Sequence, residues 1–348
     1  MKVGVVDDPL FYEHEGGAGH PERPERLAAI RKAIHALPFA DELVSLDIRD
    51  AMPEELLLVH DESYLEVLEQ SSTREHTVFD ADTRANSHSY AAARRAAGAV
   101  ISAVDAAMNG ELIRSFVLCR PPGHHAERSR AMGFCFLNNV AIAAAHAVEH
   151  SGADRVAIVD WDVHHGNGTA HMFAGRADIL YLSIHQSPHY PGTGFADEVG
   201  FEQGRGYTVN IPLPAGSADD DYLAIFDRVV MPVVGAYQPD LILVSAGFDP
   251  HARDPLSGML LTRRGFGAIT KRLVRLADEH SGGRIVHVLE GGYDLAGLAE
   301  GVSAVLEVLC DWSGGEEETS GPRRADVAPV VEQVVDMVQK TQREFWPV

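Results

Sequence analysis

Apolar residues gather into seven short, nearly unbroken runs: KVGVV (2–6), SFVLC (115–119), RVAIVD (155–160), ILYLSI (179–184), YTVNI (207–211), DLILVS (240–245) and RIVHVL (284–289). They do not alternate with polar residues, which is the pattern of strands covered on both faces. Between them, apolar positions recur with helical spacing near 24–36, 61–70, 87–109, 137–151, 219–235, 263–280 and 294–309. Strand alternating with helix predicts an α/β fold, a single-domain open parallel sheet flanked by helices on both faces. The segment SGGEEETSGPRRAD (313–326) reads as a polar linker between a body of residues 1–312 and a C-terminal stretch, 327–348. There Val330, Val331, Val334, Val335 and Val338 share one face of an amphipathic helix, expected to pack back on the body.

Unusual polar residues follow the carboxyl ends of four runs. After SFVLC comes RPPGHHA, with His124 and His125; after RVAIV comes DWDVHHGNG; after LILVS comes AGFDPHARDP, with Asp249; after RIVHVL comes EGGYD, with Tyr293. Open parallel sheets bind ligands beyond those strand ends, so the four loops are expected to converge. Asp160, Asp162 and His164 share parity and would project to one side of an extended chain. An Asp-x-His pair completed by Asp249 offers three ligands to one ion and leaves a position open, the signature of a catalytic rather than a structural zinc site.

Ligand charge then constrains the chemistry. Two carboxylates nearly neutralise a divalent cation, so it acidifies water less than an all-histidine site would. Such a site needs its own general base and a donor to polarise a carbonyl; the His124–His125 pair and Tyr293 supply them. Asp160 and Asn167 are the expected orienting groups for the two histidines. The histidine facing the neutral Asn is expected to be the less stabilised as imidazolium. His146, His150, His171 and His280 read as solvated or capping residues, and His165 as structural.

Composition acts by exclusion. The 348 residues are 45% hydrophobic and 23% charged, ordinary for a soluble globular protein. A net charge of −22 argues against nucleic-acid binding and would favour the approach of cationic substrates. Cys119, Cys135 and Cys310 provide neither a disulfide framework nor a thiolate zinc site. With no membrane-length apolar run and no secretory signal at the start, a cytoplasmic location is expected.

RPPGHHA, GFCFLNN, DWDVHHGNGT, PGTG, AGFD and EGGYD, in this order, resemble the zinc-dependent histone deacetylase superfamily, which includes acetylpolyamine amidohydrolases and acetoin-utilisation proteins. The likeness runs from the HPERPERL segment to about residue 310, and the Asn of HHGNG resembles the class II and bacterial branch. The resemblance implies an arginase/deacetylase-like fold and one Zn2+ per subunit (Fe2+ being the alternative) on Asp162, His164 and Asp249. It implies that His125 is the general base and acid, His124 its electrostatic partner, and Tyr293 the carbonyl-polarising phenol, with Asp160 and Asn167 orienting the histidines. Phe134 and Tyr190 then wall an acyl-lysine tunnel, Gly133 and Gly291 line it, and Asp80 or Asp82 forms a rim carboxylate. A structural K+ or Na+ is implied near Asp160, Asp162, His164 and Ser183.

The implied reaction is removal of acetyl or other acyl groups from lysine side chains of proteins or peptides. Acetylated polyamines are the alternative substrates; Leu256, at the tunnel edge where certain polyamine-selective relatives carry Glu, weighs against them. A binuclear manganese ureohydrolase is disfavoured because His251 stands where that class places a second metal-binding Asp. A non-catalytic binder of acylated ligands is disfavoured because every ligand, base and phenol position matches. A homo-oligomer stays open.

Overall fold

β-Branched and leucine side chains pack well on a pleated surface, and in a parallel sheet they do so on both faces. In the computed structural model, which describes residues 1–311 and 327–348, these runs become seven of the eight strands of one large sheet. The first part of the chain forms β1 (Val3–Val6), α1 (Glu25–His35), β2 (Leu43–Ser45), α2 (Pro53–Leu56), α3 (Glu62–Ser71) and the hairpin β3 (His76–Val78) with β4 (Arg84–Asn86). Then come α4 (Ser89–Met108), β5 (Arg114–Val117), α5 (Asn139–Glu149), β6 (Val156–Asp160), α6 (Asn167–Phe173), β7 (Ile179–Gln186) and β8 (Thr208–Leu213). The chain ends with α7 (Asp219–Ile225), α8 (Met231–Tyr237), β9 (Leu241–Ala246), α9 (Arg263–His280), β10 (Ile285–Leu289), α10 (Leu295–Leu309) and α11 (Pro329–Gln342).

The sheet has eight strands in the order β2-β1-β5-β10-β9-β6-β7-β8, every neighbour parallel. Helices α1, α10 and α9 pack on one another in one layer, and α4 on α5 in another. The α/β fold expected from the hydrophobic pattern is therefore the observed one. Its differences are local. Strand β2 and the β3–β4 hairpin are too short to show a periodic pattern. The single helix expected over 219–235 is three pieces, α7, a π-helical turn over Phe226–Val230, and α8. Pro232, at the start of α8, lacks a backbone N–H, and the wider turn before it absorbs the lost bond.

Helix α11 lies against the edge strand β8. Val331, Val335 and Val338 are wholly buried, whereas Val330 is 49% exposed, so the buried stripe is narrower than the hydrophobic pattern implies. Trp346 Nε1 donates to Gly206 O at 2.7 Å and fastens the chain beyond the helix. The polar stretch 313–326 lies outside the described residues.

His60 joins the loops beneath the sheet's carboxyl edge. It is 1% exposed; its Nδ1–H donates to Glu127 O at 3.1 Å, and Nε2 accepts from Asn138 N at 3.0 Å, at the cap of α5. A second ring proton would face the Asn138 N–H. Burial lowers the His60 pKa from 6.5 to about 4. The unfolded chain therefore takes up this proton first as pH falls. His60's contribution is present above 6.5 and is lost toward 4. His60→Leu is expected to remove about 2 kcal/mol of the stability lost between pH 7 and pH 5. Urea unfolding at the two pH values checks this; an unchanged pH slope in the variant refutes it.

Candidate active site

Four strands that are separated in sequence, β5, β10, β9 and β6, are consecutive in the sheet. The loops leaving their carboxyl ends carry His124–His125, Tyr293, Asp249 and Asp162–His164, and His124, His125, His164 and Tyr293 line one cavity of about 520 Å³. Ligand atoms of Asp162, His164 and Asp249 all lie within 4.8 Å of one another, and this is the only such cluster among the described residues.

The local main chain sets the carboxylates before any ion is considered. Asp162 Oδ1 accepts from His164 N at 2.9 Å and Oδ2 from Gly291 N at 2.8 Å, while Asp249 Oδ1 accepts from Val163 N at 2.8 Å. His164 Nδ1 lies 3.1 Å from Asp162 Oδ1 and 3.2 Å from Asp249 Oδ2. Asp162 and Asp249 are 1% and 0% exposed, and among the described residues neither has a Lys or Arg ion pair and Asp249 Oδ2 has no hydrogen bond. Two buried carboxylates converging on an imidazole nitrogen, one oxygen unsatisfied, fit a divalent cation: hard oxygen donors plus one nitrogen, with room left for water or substrate. A Cβ on Gly291 would strike the carboxylates of both aspartates.

The histidine pair is asymmetric. His124 Nδ1–H donates to Asp160 Oδ2 at 3.0 Å, and His125 Nδ1 meets Asn167 Oδ1 at 2.8 Å, with the two rings 4.0 Å apart. Burial opposes charge on both. At His124 the nearby Asp162 and Asp160 carboxylates prevail and push the pKa up to about 10. At His125 burial is reinforced by the neighbouring His124 and His164, holding it well below the imidazole range.

Around this centre Phe134, Tyr190, Gly133, Gly291 and Leu256 all line the cavity. Tyr190 sets its ring edge-on to His125 at 5.1 Å, and Phe134 meets the Tyr293 ring at 5.9 Å. Gly133 has φ +56, and a Cβ there would collide with the His125 ring. Of the two rim acids, Asp80 is occupied: its Oδ1 accepts from Asp82 N and Thr83 N at 3.1 and 2.7 Å. Asp82 lines the cavity. Ser183 sits in register beside Asp160 on adjoining strands, and its hydroxyl lies 2.9 Å from His185 Nδ1.

Several members of the site were not nominated from sequence. Tyr181 donates to Asp160 Oδ2 at 2.9 Å; its signal was a lone phenol in an aliphatic strand, which needs a partner when buried. Arg26 Nε donates to Gly292 O at 2.7 Å, and its guanidinium lies 5.2 Å from the Tyr293 ring centroid. Buried Glu290 accepts from Gly123 N and His124 N, at 2.7 and 3.2 Å, and so ties β10 to the histidine loop. His189 stacks on His164 at 4.8 Å.

The family model described as "Histone deacetylase domain" matches residues 20–309. The chain belongs to the histone deacetylase family. It is similar to a "Probable deacetylase" of Archaeoglobus fulgidus, 41% identical over 299 residues, covering 85% of this chain and 83% of that one. It is also similar to a "Histone deacetylase-like amidohydrolase" of Pseudomonas aeruginosa, 39% identical over 293 residues, 84% of this chain and 77% of the relative. Among solved structures, the crystal structure of the HDA15 HD domain superposes with a TM-score of 0.89 at 39% identity, covering 99% of this chain and 96% of that one. Membership places the chain among deacetylases, hydrolases of amide bonds, and the eight-stranded parallel sheet is the histone deacetylase fold. Among the described residues no helix is long and apolar enough to cross a membrane.

The crowding at Gly291 carries a prediction. If Asp162 and Asp249 hold a metal ion, Gly291→Ala should fold but bind zinc about 10- to 100-fold more weakly, because the methyl group displaces both candidate carboxylates. Competitive zinc titration of the metal-stripped protein measures it, and wild-type affinity in the variant contradicts the assignment of the ligands.

Proposed function

We propose that this histone deacetylase relative is a zinc-dependent lysine deacylase, acting on acylated side chains of peptides or proteins. The observation that carries the reading is the conjunction, in one cavity, of a buried Asp162–His164–Asp249 donor set with two histidines of opposite protonation preference. A divalent cation on those three residues would supply Lewis acidity toward water and toward the amide carbonyl.

The chain's own groups do the rest. His125, neutral, presents a basic Nε2 and takes the proton of the attacking water. His124 stays protonated between Asp160 and Asp162 and offsets the charge of the surrounding carboxylates. Burial raises the Tyr293 pKa well above its ordinary value, so the phenol keeps its proton and donates to the developing oxyanion. The departing amine takes its proton from the histidinium so formed, since an amide anion is too poor a leaving group. Phe134 and Tyr190 flank the aliphatic lysine stem and keep water from its length. Asp82, which lines the cavity and whose Oδ1 is met by the Thr83 hydroxyl at 3.4 Å, receives the substrate main chain at the rim. A monovalent cation beside Asp160, Asp162, His164 and Ser183 belongs to the same proposal.

Tyr293→Phe should retain zinc and stability while losing about 100- to 1,000-fold in kcat on an acetyl-lysine peptide. Near-normal turnover refutes the oxyanion role. Chelation should abolish wild-type turnover, and zinc should restore it. Faster cleavage of acetylputrescine than of the peptide would move the assignment to polyamines, whose distal ammonium would meet Leu256 rather than a carboxylate.

A further inference from the structure

The proposed base is oriented by an asparagine, and an asparagine side chain alone does not specify a direction. Its carboxamide presents an oxygen that accepts and a nitrogen that donates, nearly equal in shape. With Oδ1 toward His125, the ring must carry its proton on Nδ1 and leave Nε2 bare, as a base requires. With Nδ2 toward His125, Nδ1 must accept, the proton moves to Nε2, and the base is blocked. An aspartate at position 167 would accept either way round and leave no such ambiguity.

The surroundings of Asn167 resolve the choice. Nδ2 contacts the Glu127 carboxylate through Oε1, and also lies 3.4 Å from His125 O and 3.4 Å from Met132 Sδ. All three are acceptors. Turned over, the amide would set Oδ1 against a carboxylate, a carbonyl and a thioether, with no donor among them. Glu127 is itself held. Its N–H donates to Arg130 O at 2.9 Å, its carbonyl accepts from His60, and His171 Nδ1 lies 2.8 Å from Oε1. Asn167 and His171 stand one turn apart on α6, so a single short helix grips the carboxylate twice. His171, expected from sequence to be solvated or capping, is exposed yet engaged by the Glu127 carboxylate.

We infer that Glu127 is a positioning residue that fixes the Asn167 amide and thereby sets the tautomer of His125. The inference rests on His125 being the base, and it assigns to a residue two positions beyond the histidine pair the selection of the active form. A carboxylate accepts and does not donate, so it tolerates only the amide nitrogen as neighbour. The wrong tautomer at a catalytic imidazole costs up to about 10⁴ in kcat.

Four proteins test it: wild type, E127Q, N167D and the double variant, each as the full zinc-loaded chain. In wild type, E127Q replaces an acceptor by a group that accepts or donates, and kcat should fall by about tenfold or less with KM and zinc content unchanged. N167D sets carboxylate against carboxylate and should also lose kcat. In that background E127Q should raise kcat, because the amide introduced at 127 can donate to the carboxylate introduced at 167, which still accepts from His125. A purely structural role for Glu127 predicts the same sign of effect in both backgrounds, and that result overturns the inference.

A readout independent of turnover is long-range 1H–15N NMR of histidine-labelled protein, with the His125 signals assigned by their loss in His125→Ala. Wild type should show the Nδ1–H tautomer, and an Nε2–H pattern overturns the inference. If zinc-loaded wild type cleaves no acyl-lysine peptide, the deacylase reading fails by itself, while the tautomer measurement still decides the role of Glu127.

Discussion

Asp162 and Asp249 are carboxylates sealed from solvent at the end of a parallel sheet, with no guanidinium or ammonium paired to them among the described residues. Removing a carboxylate from water costs several kcal/mol even after local relaxation, unless charge and hydrogen bonds compensate. The backbone meets part of this demand through the N–H groups of Val163, His164 and Gly291, and the remaining lone pairs turn toward one point shared with His164. A doubly charged ion is the partner that suits such a point. The rest of the site follows from serving it. Glycine at 291 admits the two carboxylates, and Asp160 lies one layer beneath, bonded to the Asp162 N–H at 3.1 Å.

The parallel sheet makes this geometry inexpensive to assemble. All eight strands run in the same direction, so every carboxyl end opens on the same edge. Because β5, β10, β9 and β6 are neighbours, loops far apart in sequence meet within hydrogen-bonding distance. The Gly291 N–H on an Asp162 oxygen is one such meeting, at 2.8 Å across 129 residues of chain. The aliphatic strands build the edge, and most of the reactive groups stand in the loops beyond it, with Asp160 at the very end of β6.

This division of labour decides what the amino-acid sequence reveals. Continuous Val, Ile and Leu runs announce seven strands of the large sheet, and clusters such as DWDVHHGNG announce that the loops after them are not ordinary turns. Strand β2 escapes notice because Leu43–Ser45 is too short for any period, and the β3–β4 hairpin because His76–Val78 and Arg84–Asn86 are largely polar and exposed. Asp80 and Asp82 look equivalent in the string FDADT; only the folded turn shows that Asp80 is consumed by the N–H groups of Asp82 and Thr83. Arg26, Glu290 and Glu127 carry their meaning in three-dimensional adjacency, since each binds groups brought from another loop. Residue type alone distinguishes none of them from a surface charge.

Orientation by hydrogen bonds has a direction, and at this site the direction can be traced outward from the chemistry. Asp160 accepts from His124 and Tyr181 alike, so nothing further is needed to hold His124 as a donor through Nδ1. The other histidine meets a neutral amide, which leaves its ring less inclined to hold a charge and better able to exchange one. Neutrality brings the ambiguity of the carboxamide with it. An acceptor-only group behind the amide removes that ambiguity without placing a full charge in contact with the imidazole, so a weakly charged base and a defined tautomer can coexist. The acidic residue at 127 and the amide at 167 are in this sense one functional unit, and exchanging acid and amide between the two positions would preserve the hydrogen-bond directions while bringing the full charge next to His125.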